Sequence, residues 1–210
     1  LMVDGSVVDV SAAAMKGWPK ETVLPTTMDQ LIRQGRPGLD KVRMFAEEWG
    51  IHYRLPKDLP PALLPLEESK IQYAPVVTVP EKIICIGYNY ASHVEETGAM
   101  APTYPEVFSV ANNALAAHRQ VIKLPSTAEL YDYEAELVVV IGKECSAVSK
   151  DDALAHVFGY TCGNDLSARD LQRRTSQFFI GKSLDGFAPV GPCIATADVV
   201  EISITSYYDV

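Results

Sequence analysis

The sequence predicts an α+β fold, mainly β, and three observations carry that reading. Beyond residue 75, short strand-like segments outnumber helical ones. No sustained strand–helix alternation appears, so a doubly wound parallel sheet is not indicated. Residues 136–142, E-L-V-V-V-I-G, form a continuous apolar run that reads as a strand buried on both faces. The chain has 210 residues, of which 48% are hydrophobic and 21% charged. That suffices for one fair-sized domain, or one domain with a small appendage, and for a core that needs no disulfide or metal staple.

The elements follow in order. Residues 2–10 carry Asp4-Gly5 between apolar neighbours, a hairpin signal. Thr27 with Gln30 has the spacing of a capping box, and the helix it opens stops near Gly35. A second helix follows Pro37-Gly38. It places Leu39, Val42, Phe45, Ala46 and Trp49 on one face and is expected to end at Gly50. Pro56, Pro60, Pro61 and Pro65 then mark an extended connector. The expected boundary lies here, with 1–74 as a small N-terminal domain and linker and 75–210 as the larger domain. In the latter, 82–87, 121–124, 136–142, 158–163 and 193–196 read as strands. Residues 150–157 read as a helix capped by Ser149, and Ser167 with Asp170 as a capping box opening a polar helix.

A formal net charge of −9 argues against nucleic acid or an anionic membrane as the main partner. No apolar run approaches the ~18–20 residues of a membrane span. The cysteines are Cys85, Cys145, Cys162 and Cys193, none in a C-x-x-C pair, which suits a reduced intracellular protein and gives a cytoplasmic expectation. The chain begins at Leu1 within a strand pattern, so the natural N-terminus is expected to lie upstream.

Four sites could carry chemistry. Glu134 and Glu136 enter the 136–142 strand two residues apart, hence on one face. Burying two carboxylates together costs several kcal/mol unless a cation neutralises them. Oxygen-only ligands favour Mg²⁺, Mn²⁺ or Ca²⁺ over zinc. A solvated strand start accounts for the same residues equally well. Asp165 follows a strand and precedes a helix. It fits a third metal carboxylate, and as an isolated residue it fits an Asx turn better. His93 and Glu96 share a face if their segment is helical, which would let Glu96 orient His93 as a base toward water. Lys182, between Gly181 and the Ser183–Gly186 loop, could reach an oxyanion, although a surface lysine is the plainer reading.

Together these residues resemble the fumarylacetoacetate hydrolase family over residues 82–200. Four motifs occur in order: K-I-I-C-I-G-Y-N-Y-A-S-H-V-E-E, D-Y-E-A-E-L-V-V-V-I-G-K, G-Y-T-C-G-N-D-L-S-A-R-D-L-Q and G-K-S-L-D-G-F-A-P-V-G-P. The resemblance implies a mixed β-sandwich roll behind a small N-terminal α/β domain, and one divalent cation, usually Mg²⁺, on Glu134, Glu136 and Asp165. It implies that His93 and Glu96 activate water, that Lys182 faces substrate, and that Arg169 and Gln172 supply polar groups beside it. It also implies a homodimer. Two departures stand out. Phe108-Ser109-Val110 occupies a place where many members have a lysine. The family's glycine-rich P-G-D…T-G-T-P segment is not found after Val200, so the metal-binding domain is expected to be C-terminally incomplete.

The implied reaction is metal-assisted cleavage of a C–C bond in a 2-oxo or 1,3-dicarbonyl acid, of acylpyruvate or fumarylpyruvate type. The cation would polarise the 2-oxo group, His93 would deprotonate water, and Lys182 would stabilise the developing oxyanion. Oxaloacetate-type decarboxylation and dienoate isomerisation use the same activated carbonyl and are alternatives. A metal-binding or dimerisation module without catalysis is the alternative of another class. The expected partner is a small oxo acid, with neither nucleic acid nor membrane.

Overall fold

The computed structural model describes residues 2–3, 6–15, 23–53, 64, 66–90, 94–95, 98, 100, 102–198 and 200. It separates into two compact units. One comprises residues 1–72 and 140–158, the other 73–139 and 159–210.

In the first unit, β1 (Met2–Val3) and β2 (Ser6–Val7) pair antiparallel, the hairpin expected around residues 4–5. A short helix, α1 (Val10–Met15), follows. Helix α2 (Met28–Gln34) begins where Thr27 accepts a hydrogen bond from the Gln30 amide at 3.1 Å. Gln30 reaches back to the amide of Thr26 rather than that of Thr27, so the box closes one residue earlier than its usual form. Gly35 ends α2 at φ 57°, its N–H donating to Leu31 and Ile32. Helix α3 (Arg36–Tyr53) starts before Pro37 and runs through Gly50, longer at both ends than expected. A proline in the first turn is tolerated because its missing N–H would have had no helical partner. Val42 and Phe45 bury the predicted face. The proline-rich connector at 54–63 and the side chain of Trp49 lie outside the described residues.

The second unit holds most of the remaining strand residues. β3 (Ile84–Gly87) pairs antiparallel with β4 (Glu106–Ser109). A four-stranded sheet has the order β5-β10-β8-β7, from β5 (Leu115–Ala116), β7 (Ala135–Ile141), β8 (Val157–Asn164) and β10 (Ala188–Thr196). β10 is antiparallel to β8, with a register shift between Gly191 and Ala195, and parallel to β5. A small ladder joins β6 (Tyr131–Asp132) to β9 (Ser167–Ala168). A short helix, α4 (Lys150–Ala153), lies in the first unit, while α5 (Arg169–Gln172) and α6 (Phe179–Lys182) fill connections in the second. Ala128, Ala168, Leu171 and Phe187 form a buried cluster with Ile122, Tyr131, Leu166 and Leu184 packed against it. The α+β class holds.

Four local expectations are corrected. β7 is not buried on both faces. It is the last strand of its sheet, and Leu137, Val139 and Ile141 are 52%, 46% and 55% exposed, while Val140 on the other face is buried. An apolar run cannot report which of its faces will be covered. Residues 121–124 form no ladder; Val121 and Leu124 face outward, and Ile122 turns into the core cluster. Ser149 does cap a helix, but after Ala153 the chain tightens into a 3₁₀ turn, Leu154–His156, before β8. Ser167 caps nothing. Its backbone is taken by the β6 ladder opposite Asp132, and its hydroxyl donates to the Asp165 carbonyl at 3.0 Å.

Gly159 sets the approach of β8 and β10. A Cβ there would lie 2.3 Å from the Ala195 carbonyl oxygen, whereas one at Gly35 would meet nothing. Gly159→Ala is therefore expected to cost about 1–3 kcal/mol through overpacking. Gly35→Ala should also cost about 1–3 kcal/mol, because φ 57° with ψ −135° is a backbone conformation at ease only for glycine. Urea denaturation of the two variants checks both costs.

Candidate active site

The site grows from the junction of β7, β8 and α6. Along β7 the side chains alternate, so Glu134 and Glu136 point the same way as Val138 and the buried Val140. Two hydrogen bonds fasten the entry to β7 against the end of β8: Glu134 N–H to Asn164 Oδ1 at 3.1 Å, and Asp165 N–H to the Glu134 carbonyl at 2.9 Å. Asp165 is thereby held beside Glu134 from a separate strand.

Lys182 completes the junction from the end of α6. Its side chain is 2% exposed, and its ammonium donates to Glu134 Oε2 at 2.6 Å and Asp165 Oδ2 at 2.8 Å. The surface-lysine reading is thus overturned. Its glycine neighbour explains why. A Cβ on Gly181 would lie 2.7 Å from the Gln172 amide nitrogen, so α6 packs on α5 at a distance that a side chain would forbid. The following loop is pinned by Asn113, whose Nδ2 donates to the Ser183 carbonyl and to Asp185 Oδ1, and by the Gly186 amide donating to the Asn113 carbonyl. Phe108 places its ring 5.6 Å from the ammonium, a cation–π contact, and stacks edge-on with Phe178.

Arg169, at the start of α5, donates to Asp132 Oδ2 at 2.8 Å, to Glu134 Oε1 at 2.7 Å and to Gln172 Oε1 at 3.0 Å. Burial works against the Arg169 charge, yet its hydrogen bonds to Asp132 and Glu134 outweigh that and hold the pKa above its usual value. Asp132 is held below the usual carboxylate range, chiefly by its hydrogen bond to Arg169.

The three carboxylates differ electrostatically. Burial opposes ionisation of Glu134, but Lys182 and Arg169 together pull its pKa below the usual value. Burial raises Asp165, and Lys182 with a smaller pull from Arg169 does not offset this and the repulsion from Glu134. Burial also raises Glu136, with the charge of Glu134 adding to it. Asp132, Glu134 and Asp165 pair with only two cationic side chains, Lys182 and Arg169.

The donor set suits a hard divalent cation. It offers oxygen ligands alone, and Asp165 Oδ1 is buried without a hydrogen-bond partner among the described residues. Among those residues, however, no three of His, Cys, Asp and Glu already surround a common point as metal ligands. An ammonium sits between two of the candidates instead. His93 and Glu96 lie outside the described residues. Beside them the Val94 amide donates to the Tyr90 carbonyl at 3.1 Å, a helical i to i−4 bond.

Several participants escaped the sequence reading. Tyr90 accepts from the Leu137 amide at 3.4 Å, which sets its hydroxyl near Glu136. Asp132 and Asn164 orient Arg169 and Glu134. Cys85, opposite Phe108 in the β3–β4 ladder, sits close enough for burial first, then the charge of Asp165, to push its thiol up to about 12. All four lie inside the motifs quoted above, but spacing along a strand does not show a contact between strands.

Comparison with known proteins fits this geometry. Residues 82–209 match the family described as fumarylacetoacetate (FAA) hydrolase, C-terminal. The chain is 41% identical over 196 residues to oxaloacetate tautomerase YisK of Bacillus subtilis, covering 91% of this chain and 63% of that protein. It is 36% identical over 198 residues to the mitochondrial oxaloacetate tautomerase FAHD2A of Bos taurus, covering 93% of this chain and 57% of that one. Among solved structures, fumarylacetoacetate hydrolase from Exiguobacterium antarcticum superposes with a TM-score of 0.69 at 28% identity, over 94% of this chain and 62% of that one. The chain thus belongs to the fumarylacetoacetate hydrolase family. It spans less than two thirds of the length of these relatives.

Two outcomes test the site. At pH 8 about one Cys85 in ten thousand would be thiolate. Timed iodoacetamide labelling read by mass spectrometry should therefore modify the exposed Cys145, Cys162 and Cys193 well before Cys85. Gly181→Ala should push α6 off α5, costing about 1–3 kcal/mol in urea unfolding.

Proposed function

We propose that this chain carries Lewis-acid-assisted chemistry on a small 2-oxo acid, with keto–enol interconversion of oxaloacetate as the reaction. The observation that carries the reading is the convergence of Glu134, Asp165 and Lys182, with Glu136 alongside, in a chain 41% identical to an oxaloacetate tautomerase. Glu134, Glu136 and Asp165 would hold the divalent cation, Mg²⁺ by preference and Mn²⁺ or Ca²⁺ as substitutes. When bound, the cation supplies polarisation of the 2-oxo carbonyl, which acidifies the neighbouring carbon.

The chain's own residues do the rest. Arg169 and Asn164 fix Glu134, so this ligand does not reorganise as charge develops. His93, oriented by Glu96, would take the proton from carbon and return it to oxygen. Lys182 would face the developing negative charge, and Arg169 with Gln172 would border the substrate. Within this reading residues 1–74 serve as a small N-terminal domain and 75–210 belong to the catalytic roll. The protein works as a cytoplasmic homodimer, the exposed Leu137 and Val139 providing apolar surface to cover. A monomeric mass in solution scattering would refute the dimer.

Hydrolytic C–C cleavage of an acylpyruvate is the second reading. It is favoured by the His93–Glu96 spacing on a segment that begins with the helical Tyr90–Val94 bond, which suits a base aimed at water. Ultraviolet absorbance of the oxaloacetate enol, followed with Mg²⁺ and with EDTA, is the primary test. Acceleration above the spontaneous rate should vanish with EDTA. His93→Ala should lower it by about 10²–10⁴-fold and Glu96→Gln by less. Loss of acylpyruvate cleavage with retained enol conversion in His93→Ala would assign the dyad to water instead. No turnover of either substrate, with Mg²⁺ still bound, would leave a metal-binding module.

A further inference from the structure

We propose that Lys182 is the site's internal counter-cation, holding the seat between Glu134 and Asp165 that a divalent cation must take from it. The inference rests on the metal reading given above and adds a competitor within the chain.

Geometry argues for competition rather than coexistence. The ammonium donates at once to Glu134 Oε2 and Asp165 Oδ2, at 2.6 and 2.8 Å, one oxygen from each candidate ligand. Hard cations bind carboxylate oxygens at about 2.1–2.6 Å, so a cation joining these two oxygens and the ammonium bridging them would occupy overlapping space. Two positive charges at that separation also repel. The other oxygen of Glu134 accepts from Arg169 at 2.7 Å, leaving Oε2 as the oxygen that the lysine alone engages. The other oxygen of Asp165 is buried and has no hydrogen-bond partner among the described residues. The ammonium thus satisfies half of Asp165 and leaves an acceptor for a ligand of higher coordination. Lys182 is also the one fully buried charged side chain among the described residues, and its ammonium lies 5.6 Å from the Phe108 ring. A lysine has the length and freedom to swing from this seat, whereas Arg169, tied to Asp132, Glu134 and Gln172, is fixed. Metal entry would therefore release the ammonium toward the substrate's side of the site.

The test uses Mg²⁺ alone. Calorimetric titration of metal-free protein should show Lys182→Met binding Mg²⁺ at least about tenfold more tightly than the parent, the equivalent of one charge-assisted hydrogen bond no longer broken. Equal or weaker binding in the variant would overturn the counter-cation role while leaving the metal reading intact. Absence of binding in both proteins would overturn the metal reading, and the competition with it. Should Lys182→Met fail to fold, acetic anhydride footprinting of the parent decides. Lys182 should be protected without Mg²⁺ and acetylated several-fold faster with it. Unchanged protection at a Mg²⁺ concentration that saturates the calorimetric isotherm would overturn the proposal.

Discussion

The arrangement depends on one constraint, the need to neutralise carboxylates that backbone pairing forces together. Glu134 and Asp165 are fastened through their main chains, so their side chains cannot separate to relieve repulsion. Buried carboxylates at this spacing are tolerated only with a cation between them. Lys182 supplies one positive charge from α6 and Arg169 another from α5. The close packing at Gly181, the anchoring of the 183–186 loop by Asn113, and the Asp132–Arg169 pair all place those two charges.

The same constraint separates the roles of chemically equal groups. Glu134, with two cations, stays ionised readily, while Glu136 and Asp165, with less compensation, resist it. Under the proposal, a divalent cation would take the ammonium's seat between Glu134 and Asp165 and use the acceptor that Asp165 keeps open. Within the proposed function, carboxylates, an ammonium and a base from separate segments would act on one carbonyl.

The sequence by itself determined the class of fold, the hairpin at 2–7, the caps at Thr27 and Ser149, and the shared face of Glu134 and Glu136. Each of these is local: a turn dipeptide, a side chain reaching its own third neighbour, or the two-residue period of a strand. The four ordered motifs also carried the family. Tertiary structure decided the rest, because it turns on which segments meet. It exposed one face of β7 by leaving that strand last in its sheet, removed Ser167 from a cap by pairing it with Asp132, and left 121–124 without a ladder. It turned Lys182 from a plausible surface residue into a buried bridge and brought Tyr90 and Cys85 to the site from other segments. Charge neutralisation between residues 17 and 48 positions apart is invisible to any short window of sequence. It follows from strand order and helix packing, and these exist only once the chain has folded.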